Sequence, residues 1–328
     1  MKKLIFISLM IGMAACSKPA QVDDRQPMLM NAMTKSPTDF GADTPVFLFW
    51  LATDFPNIAE GVYTQPYHEA WPFEGIDAYK TKTYDTGKKY PADDSEVWCT
   101  GYFPASLTVD DGASPRSWTK LSVPAEDIGI LDVMVAKEHI TGKSSAHFEK
   151  KNPKEPLVFI HAQSKVTFKA KMGTEMAQNR YLRNVRITIP HTELMGTLKW
   201  EDGRYIAYER VTDENIEVVL TDPETAQLDP NQAVREIGSV YIYPGQDAIS
   251  VKVEMEMDNT PLFTSPEIIS TEAEVPFVLD NVAEYGNVLR ENDAYEITLV
   301  INYDSIALKG NKALWQDGGK IPLPFYPN

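Results

Sequence analysis

A side-chain period of two runs through most of this chain and leaves little choice of fold. Ile249, Val251, Val253, Met255 and Met257 alternate with Ser250, Lys252, Glu254, Glu256 and Asp258. Successive side chains of a strand point to opposite faces, so the five apolar residues share one face. Tyr295, Ile297, Leu299, Ile301 and Tyr303 repeat the pattern, as do Val185, Ile187 and Ile189, and Ile216, Val218 and Leu220. Val158 to Ala170 reads as one long strand, with Val158, Ile160, Val166 and Phe168 inward and Gln163, Lys165 and Lys169 outward. Val46 to Ala52 and Ile128 to Ala136 are apolar without alternation, and read as short strands buried on both faces. Asp202-Gly203 lies between Leu198-Lys199-Trp200 and Tyr205-Ile206-Ala207, where a tight hairpin turn needs positive φ. No long stretch carries a helical period. Many short strands parted by Gly, Pro and Asp turns predict an all-β chain of β-sandwiches.

The amino terminus bears on compartment. Lys2 and Lys3 precede an apolar run, Leu4 to Met13, of about ten residues, too short to span a bilayer as a helix. It ends in Met13-Ala14-Ala15-Cys16. Small residues before a cysteine suit the narrow cleft of a lipoprotein signal peptidase. Residues 1–15 are therefore expected to be a signal peptide, with Cys16 acylated on its thiol and its new amine. More than one buried acyl chain anchors a protein firmly. Ser17 to Asp24 is polar and reads as a tether.

The formal net charge is −16, and loss of Lys2 and Lys3 makes it more negative. That sign repels phosphates, so no nucleic-acid partner is expected. Of two cysteines, Cys99 has no partner once Cys16 is acylated, which excludes a disulfide framework. Its setting, Val97-Trp98-Cys99-Thr100-Gly101-Tyr102-Phe103, marks a small buried core residue. His161 and Lys165 are the residues that most suggest chemistry, and with Gln163 they fall on one strand face. They read as an outward or interdomain face holding a satisfied histidine. His68, His139, His147 and His191 lack metal-ligand spacing. Asp93-Asp94-Ser95-Glu96 and Asp110-Asp111-Gly112 lack the calcium-loop pattern and read as solvated turns. No nucleophile elbow, phosphate loop or dinucleotide fingerprint is present. The expectation is a chain that is not an enzyme, with no catalytic residue, metal or cofactor. Tyr63, Tyr67, Trp71 and Tyr79 lie in a turn-rich stretch, where they can stack on a sugar or fill the end of a sandwich core.

A length of 328 residues suggests about two domains. Glu149-Lys150-Lys151-Asn152-Pro153-Lys154-Glu155-Pro156 is charged, proline-bearing and free of large apolar residues, so it suits the break. The expected plan is a tether and first strand over 16–35, an N-terminal sandwich over 36–152 and a C-terminal sandwich over 153–328.

Three stretches resemble the fimbrillins, the type V pilins of Bacteroidales, including their Mfa-like and major-fimbrillin relatives. One is the Cys16 lipobox with its acidic tether, in which Gln21-Val22-Asp23-Asp24 resembles the signal that sends Bacteroidetes lipoproteins to the outer face of the outer membrane. A solvated linker is the other reading of that tetrapeptide. The second pairs Ile130-Leu131-Asp132-Val133-Met134-Val135-Ala136 with Leu157-Val158-Phe159-Ile160-His161-Ala162-Gln163-Ser164-Lys165-Val166. The third runs from Asn287 to Leu299. The resemblance implies two transthyretin-like β-sandwiches in tandem, surface exposure at the cell outer membrane and incorporation into a fimbrium. It also implies assembly with other pilus subunits by strand exchange, after a protease cuts behind Arg or Lys. Lys35 is the expected cut, because it follows the apolar segment Met28-Leu29-Met30-Asn31-Ala32-Met33; Arg25 precedes that segment and would free nothing. A host or bacterial receptor or glycan completes the expected partners. The competing reading is a surface glycan-binding lipoprotein that stays monomeric.

At the other end, Ile321, Leu323 and Phe325 alternate with Pro322, Pro324 and Tyr326. The two prolines remove N–H donors from one side of that segment only. It suits an edge strand better than a donor held between two strands, which favours a tip or accessory subunit over a stalk subunit. Cys16→Ala is expected to abolish labelling by a fatty-acid probe and to move the protein out of the membrane fraction.

Overall fold

The structure is a computed structural model, and it describes residues 26–34, 46–51, 67–68, 82–109, 120–143, 145, 147–149, 156–173, 180–190, 193–201, 204–211, 217–222, 224, 226–228, 234–276, 288–302 and 306–313. The strands, in chain order, begin with β1 (Pro27–Thr34), β2 (Val46–Leu51), β3 (Tyr67–His68), β4 (Lys82–Lys89), β5 (Val97–Phe103) and β6 (Thr108–Val109). They continue with β7 (Lys120–Ser122), β8 (Met134–Ala136), β9 (Ile140–Lys143), β10 (His147–Glu149), β11 (Leu157–His161) and β12 (Ser164–Met172). Then come β13 (Arg180–Pro190), β14 (Leu194–Glu201), β15 (Arg204–Val211), β16 (Glu217–Asp222) and β17 (Ala226–Leu228). The last are β18 (Arg235–Ile242), β19 (Ala248–Asp258), β20 (Glu267–Pro276), β21 (Ala294–Ile301) and β22 (Ile306–Ala313). No helix among the described residues is long and apolar enough to cross a membrane.

The first sheet has nine strands and one seam. Val97 to Cys99 of β5 pair with β9, whereas Tyr102 and Phe103 pair with β8. The other edge of β5 is covered by β2 from Val97 to Tyr102. From β8 the order runs through β11 and β1 to β4. Two strands separate β5 from β1 along that path, yet Cys99 and Met30 touch. The sheet therefore folds back on itself and closes a sandwich around Met28, Met30, Phe47, Cys99 and Phe159.

Two further sheets face each other across the largest core. One runs β18-β12-β21-β22; the other runs β16-β13-β19-β20, with β17 also on β13. Val166, Phe168 and Ala170 from β12 meet Val251, Val253 and Met255 from β19 within one buried cluster. Every apolar residue of the 249–257 alternation is buried, as its period demands.

The fourth sheet, β6-β7-β14-β15, ties the early chain to the late chain: Leu121 of β7 pairs with Leu198 of β14. The β14–β15 register opposes Glu201 to Arg204, so a two-residue connection joins them, as Asp202-Gly203 requires; those two lie outside the described residues.

Two expected strands differ in the structure. Val158 to Ala170 is two strands in two sheets: His161 pairs with Met134 in the first, and Ser164 pairs with Ile242 in another. The chain changes sheets at Ala162-Gln163, downstream of the 149–156 segment; Ile160, Val166 and Phe168 are buried as expected, whereas Val158 is only partly covered and its neighbours Leu157 and Phe159 are fully buried. Ile128 to Ala136 is strand only from Met134, and Ile130 is 52% exposed. Asp127 C=O accepts the N–H groups of Ile130 and Leu131, which curls 127–131 into a turn. Gly129 sits there at φ +83°, where a β-carbon would lie 2.5 Å from Val218 Cγ2.

Phe168 has no exposed surface. Phe168→Ala is expected to lower unfolding free energy by about 3–5 kcal/mol, read from denaturant midpoints at unchanged m-value.

Candidate functional site: the first strand and its slot

β1 is hydrogen-bonded on both edges. It runs parallel to β11, with Ala32 opposite Leu157 and Thr34 opposite Phe159. It runs antiparallel to β4, with Met30 opposite Tyr84 and Ala32 opposite Lys82. The Tyr90 N–H donates to Gln26 C=O at 3.0 Å, and Thr83 Oγ1 donates to Asn31 Oδ1 at 2.7 Å. Met28, Met30, Ala32 and Thr34 are buried, whereas Leu29 is 41% exposed. Each buried methionine contributes about 1.5–3 kcal/mol by leaving water. Removing the strand would also strand the backbone groups along β11 and β4, and open groups of that kind attract another strand.

The floor of the slot is set by two contacts. The Cys99 thiol donates to Met30 Sδ at 3.2 Å and approaches Thr100 C=O at 3.4 Å. Burial pushes the Cys99 thiol well above its ordinary pKa. Beside Thr34, the Phe159 ring reaches over Gly101, where a β-carbon would meet Phe159 Cζ at 2.7 Å and Val46 C=O at 2.9 Å. Phe159 also meets Phe47 edge to face, centroids 6.1 Å apart. A glycine inside a strand often marks such a close approach, and this was the available sequence signal for the wedge.

The residues singled out in the sequence fall in different places. Cys16, Arg25, Lys35, Tyr63, Trp71 and Tyr79 lie outside the described residues. Tyr67 lies in β3, opposite Phe47 of β2. Cys99 is buried, as its neighbours in sequence suggest. Gln163, expected outside, has no exposed surface, and His161 and Lys165 are buried with it. The reason is the change of sheet at 162–163. Gln163 Oε1 accepts the Val133 N–H at 3.0 Å, and Gln163 C=O accepts the Asn292 N–H at 3.1 Å. Asn292 Oδ1 accepts the His161 N–H at 3.1 Å, and His161 Nδ1 lies 2.7 Å from Asp132 Oδ1. The histidine is thus satisfied inside a joint. Asp132 and Asn292 are its partners, and their distance in sequence hid them. Lys169, also expected outside, is partly covered and pairs with Glu296. Among the described residues no group of three or more His, Cys, Asp or Glu is placed to hold a metal ion.

Among the described residues the chain is nearly all strand, folded into sandwiches, and its first described strand is paired on both edges. The model of the fimbrillin-like family matches residues 35–311, and the chain belongs to that family, one of fimbrial and adhesion proteins rather than enzymes. Among curated proteins no sequence matches. The fold is similar to that of a candidate cell adhesion protein from Bacteroides uniformis ATCC 8492, with TM-score 0.50 and 17% identity over 90% of this chain and 100% of that one. A second from Bacteroides ovatus ATCC 8483 has TM-score 0.50 and 11% identity over 90% and 99% of the two chains. The tip fimbrial protein Mfa3 from Porphyromonas gingivalis, with C-terminal truncation, aligns at TM-score 0.40 and 10% identity over 88% and 99%.

Cys99 is expected to resist alkylation in the folded chain at neutral pH and to react once β1 is displaced or the chain unfolds, read by mass spectrometry.

Proposed function

We propose that this fimbrial subunit is exported as a lipoprotein acylated at Cys16 and carried to the outer face of the outer membrane. A trypsin-like cut behind Lys35 then releases β1, and a strand from another subunit takes its place. The observation that carries this reading is the position of β1. It is the first described strand, it supplies three residues to a packed core, and it ends at Thr34, one residue before Lys35. A cut at Lys35 severs β1 from everything that follows. A cut at Arg25 leaves it attached. The vacated slot offers an apolar floor and two rows of backbone partners, which is what an incoming strand needs.

A tip or accessory position suits the C-terminal segment, because Pro322 and Pro324 weaken it as a donor. Receptor contact at a host or bacterial surface accords with the adhesion proteins whose fold this chain shares.

N-terminal sequencing of the protein taken from fimbriae is expected to read Ser36-Pro37-Thr38. An N-terminus before Met28, with the protein monomeric at the surface, would overturn strand exchange and favour the glycan-binding lipoprotein.

A further inference from the structure

We propose that the β1 slot selects its partner by size: it takes a donor strand with two long unbranched apolar side chains followed by two small ones, and rejects the C-terminal segment of a second copy. The inference rests on the strand-exchange reading and names the partner that reading leaves open.

The gradient is written in β1 itself. Its inward residues are Met28, Met30, Ala32 and Thr34, in that order. At the first two positions the slot is deep. Met30 reaches Cys99, and the small thiol side chain there leaves room for a long flexible one. At the last two positions it is shallow. Ala32 is fully buried opposite Leu157, itself fully buried, so added carbons have no solvent to enter. Thr34 lies opposite Phe159. That ring has no retreat, because it already rests on Gly101 and meets Phe47 edge to face. A larger group at either position overpacks the core.

The chain's own C-terminus does not match this order. Laid in the direction of β1, Ile321, Leu323 and Phe325 place an aromatic ring at the Ala32 position. Shifted by two residues, they place Pro327 there, whose ring withholds a further N–H. Pro322 and Pro324 also withhold N–H groups from one of the two flanking strands. The occupant that fits is therefore a strand of a different subunit, patterned large-x-large-x-small-x-small.

The test uses the full chain carrying a site-specific protease sequence within 35–45. After cutting, fluorescent peptides are added in excess and retention is followed by gel filtration. The peptide Pro27–Thr34 is expected to be retained. The same peptide with Ala32→Phe, and the peptide Ile321–Asn328, are each expected to bind about tenfold more weakly or worse. Equal retention of either one overturns the size gradient while leaving strand exchange intact. Failure of the Pro27–Thr34 peptide to enter at all overturns strand exchange, and the selection falls with it. Uncut variants give a second reading of the same gradient. Ala32→Phe is expected to lower the melting temperature well below that of Met30→Leu, and equal melting temperatures overturn the proposal.

Discussion

The first core closes only if β1 stays between β11 and β4. Its inward face supplies Met28, Met30 and Ala32 to the cluster around Cys99 and Phe159, and its two edges satisfy backbone groups on both neighbours. A strand flanked on one side only could be lost at small cost. A strand flanked on both sides leaves a trough when it goes, with an apolar floor and polar rims. The same geometry that makes β1 indispensable to the isolated fold makes its absence an invitation to another chain.

The second core depends on β1 only indirectly, through the joint at 161–164. The parallel pair β12–β21 starts at Lys165, shortly after β11 ends at His161, and Lys165 N–H donates to Asp293 C=O as the new pairing begins. Ser164 Oγ donates to Arg290 C=O, and Ala162 N–H donates to Val133 C=O. Four consecutive residues thus bind partners from both sides of the junction. The 127–131 turn adds another tie, since Tyr241 N–H donates to Gly129 C=O.

How much of this was legible in the sequence follows from what period two encodes. It encodes which face of a strand is buried, so the inward sets at 249–257 and 295–301 could be read directly. It says nothing about which sheet a strand joins. Val158 to Ala170 carries apolar residues on both sides of a change of sheet and alternates only from Val166 onward, so two strands looked like one, and Gln163 looked exposed when it was the pin of the joint. Asp132 and Asn292 were invisible as partners of His161 because contact at that range is a property of the fold. The 127–131 turn was masked by its apolar composition, although Gly129 was the residue that could have betrayed it. The slot was half legible: the apolar segment and the nearby lysine stood out, but its size gradient required knowing that Phe159 rests on Gly101.

The joint also governs how such a subunit would carry load. Ala162 and Gln163 are all that separate β11 from β12, a span of about 7 Å when extended. A pull on a strand seated against β11 passes into β12 with almost no slack to take up. The load would then reach the backbone pairing of β12 with β18 and β21, which runs along both of its edges. A fibre of units connected this way would be stiff at each internal junction, and its give would have to come from the contacts between subunits.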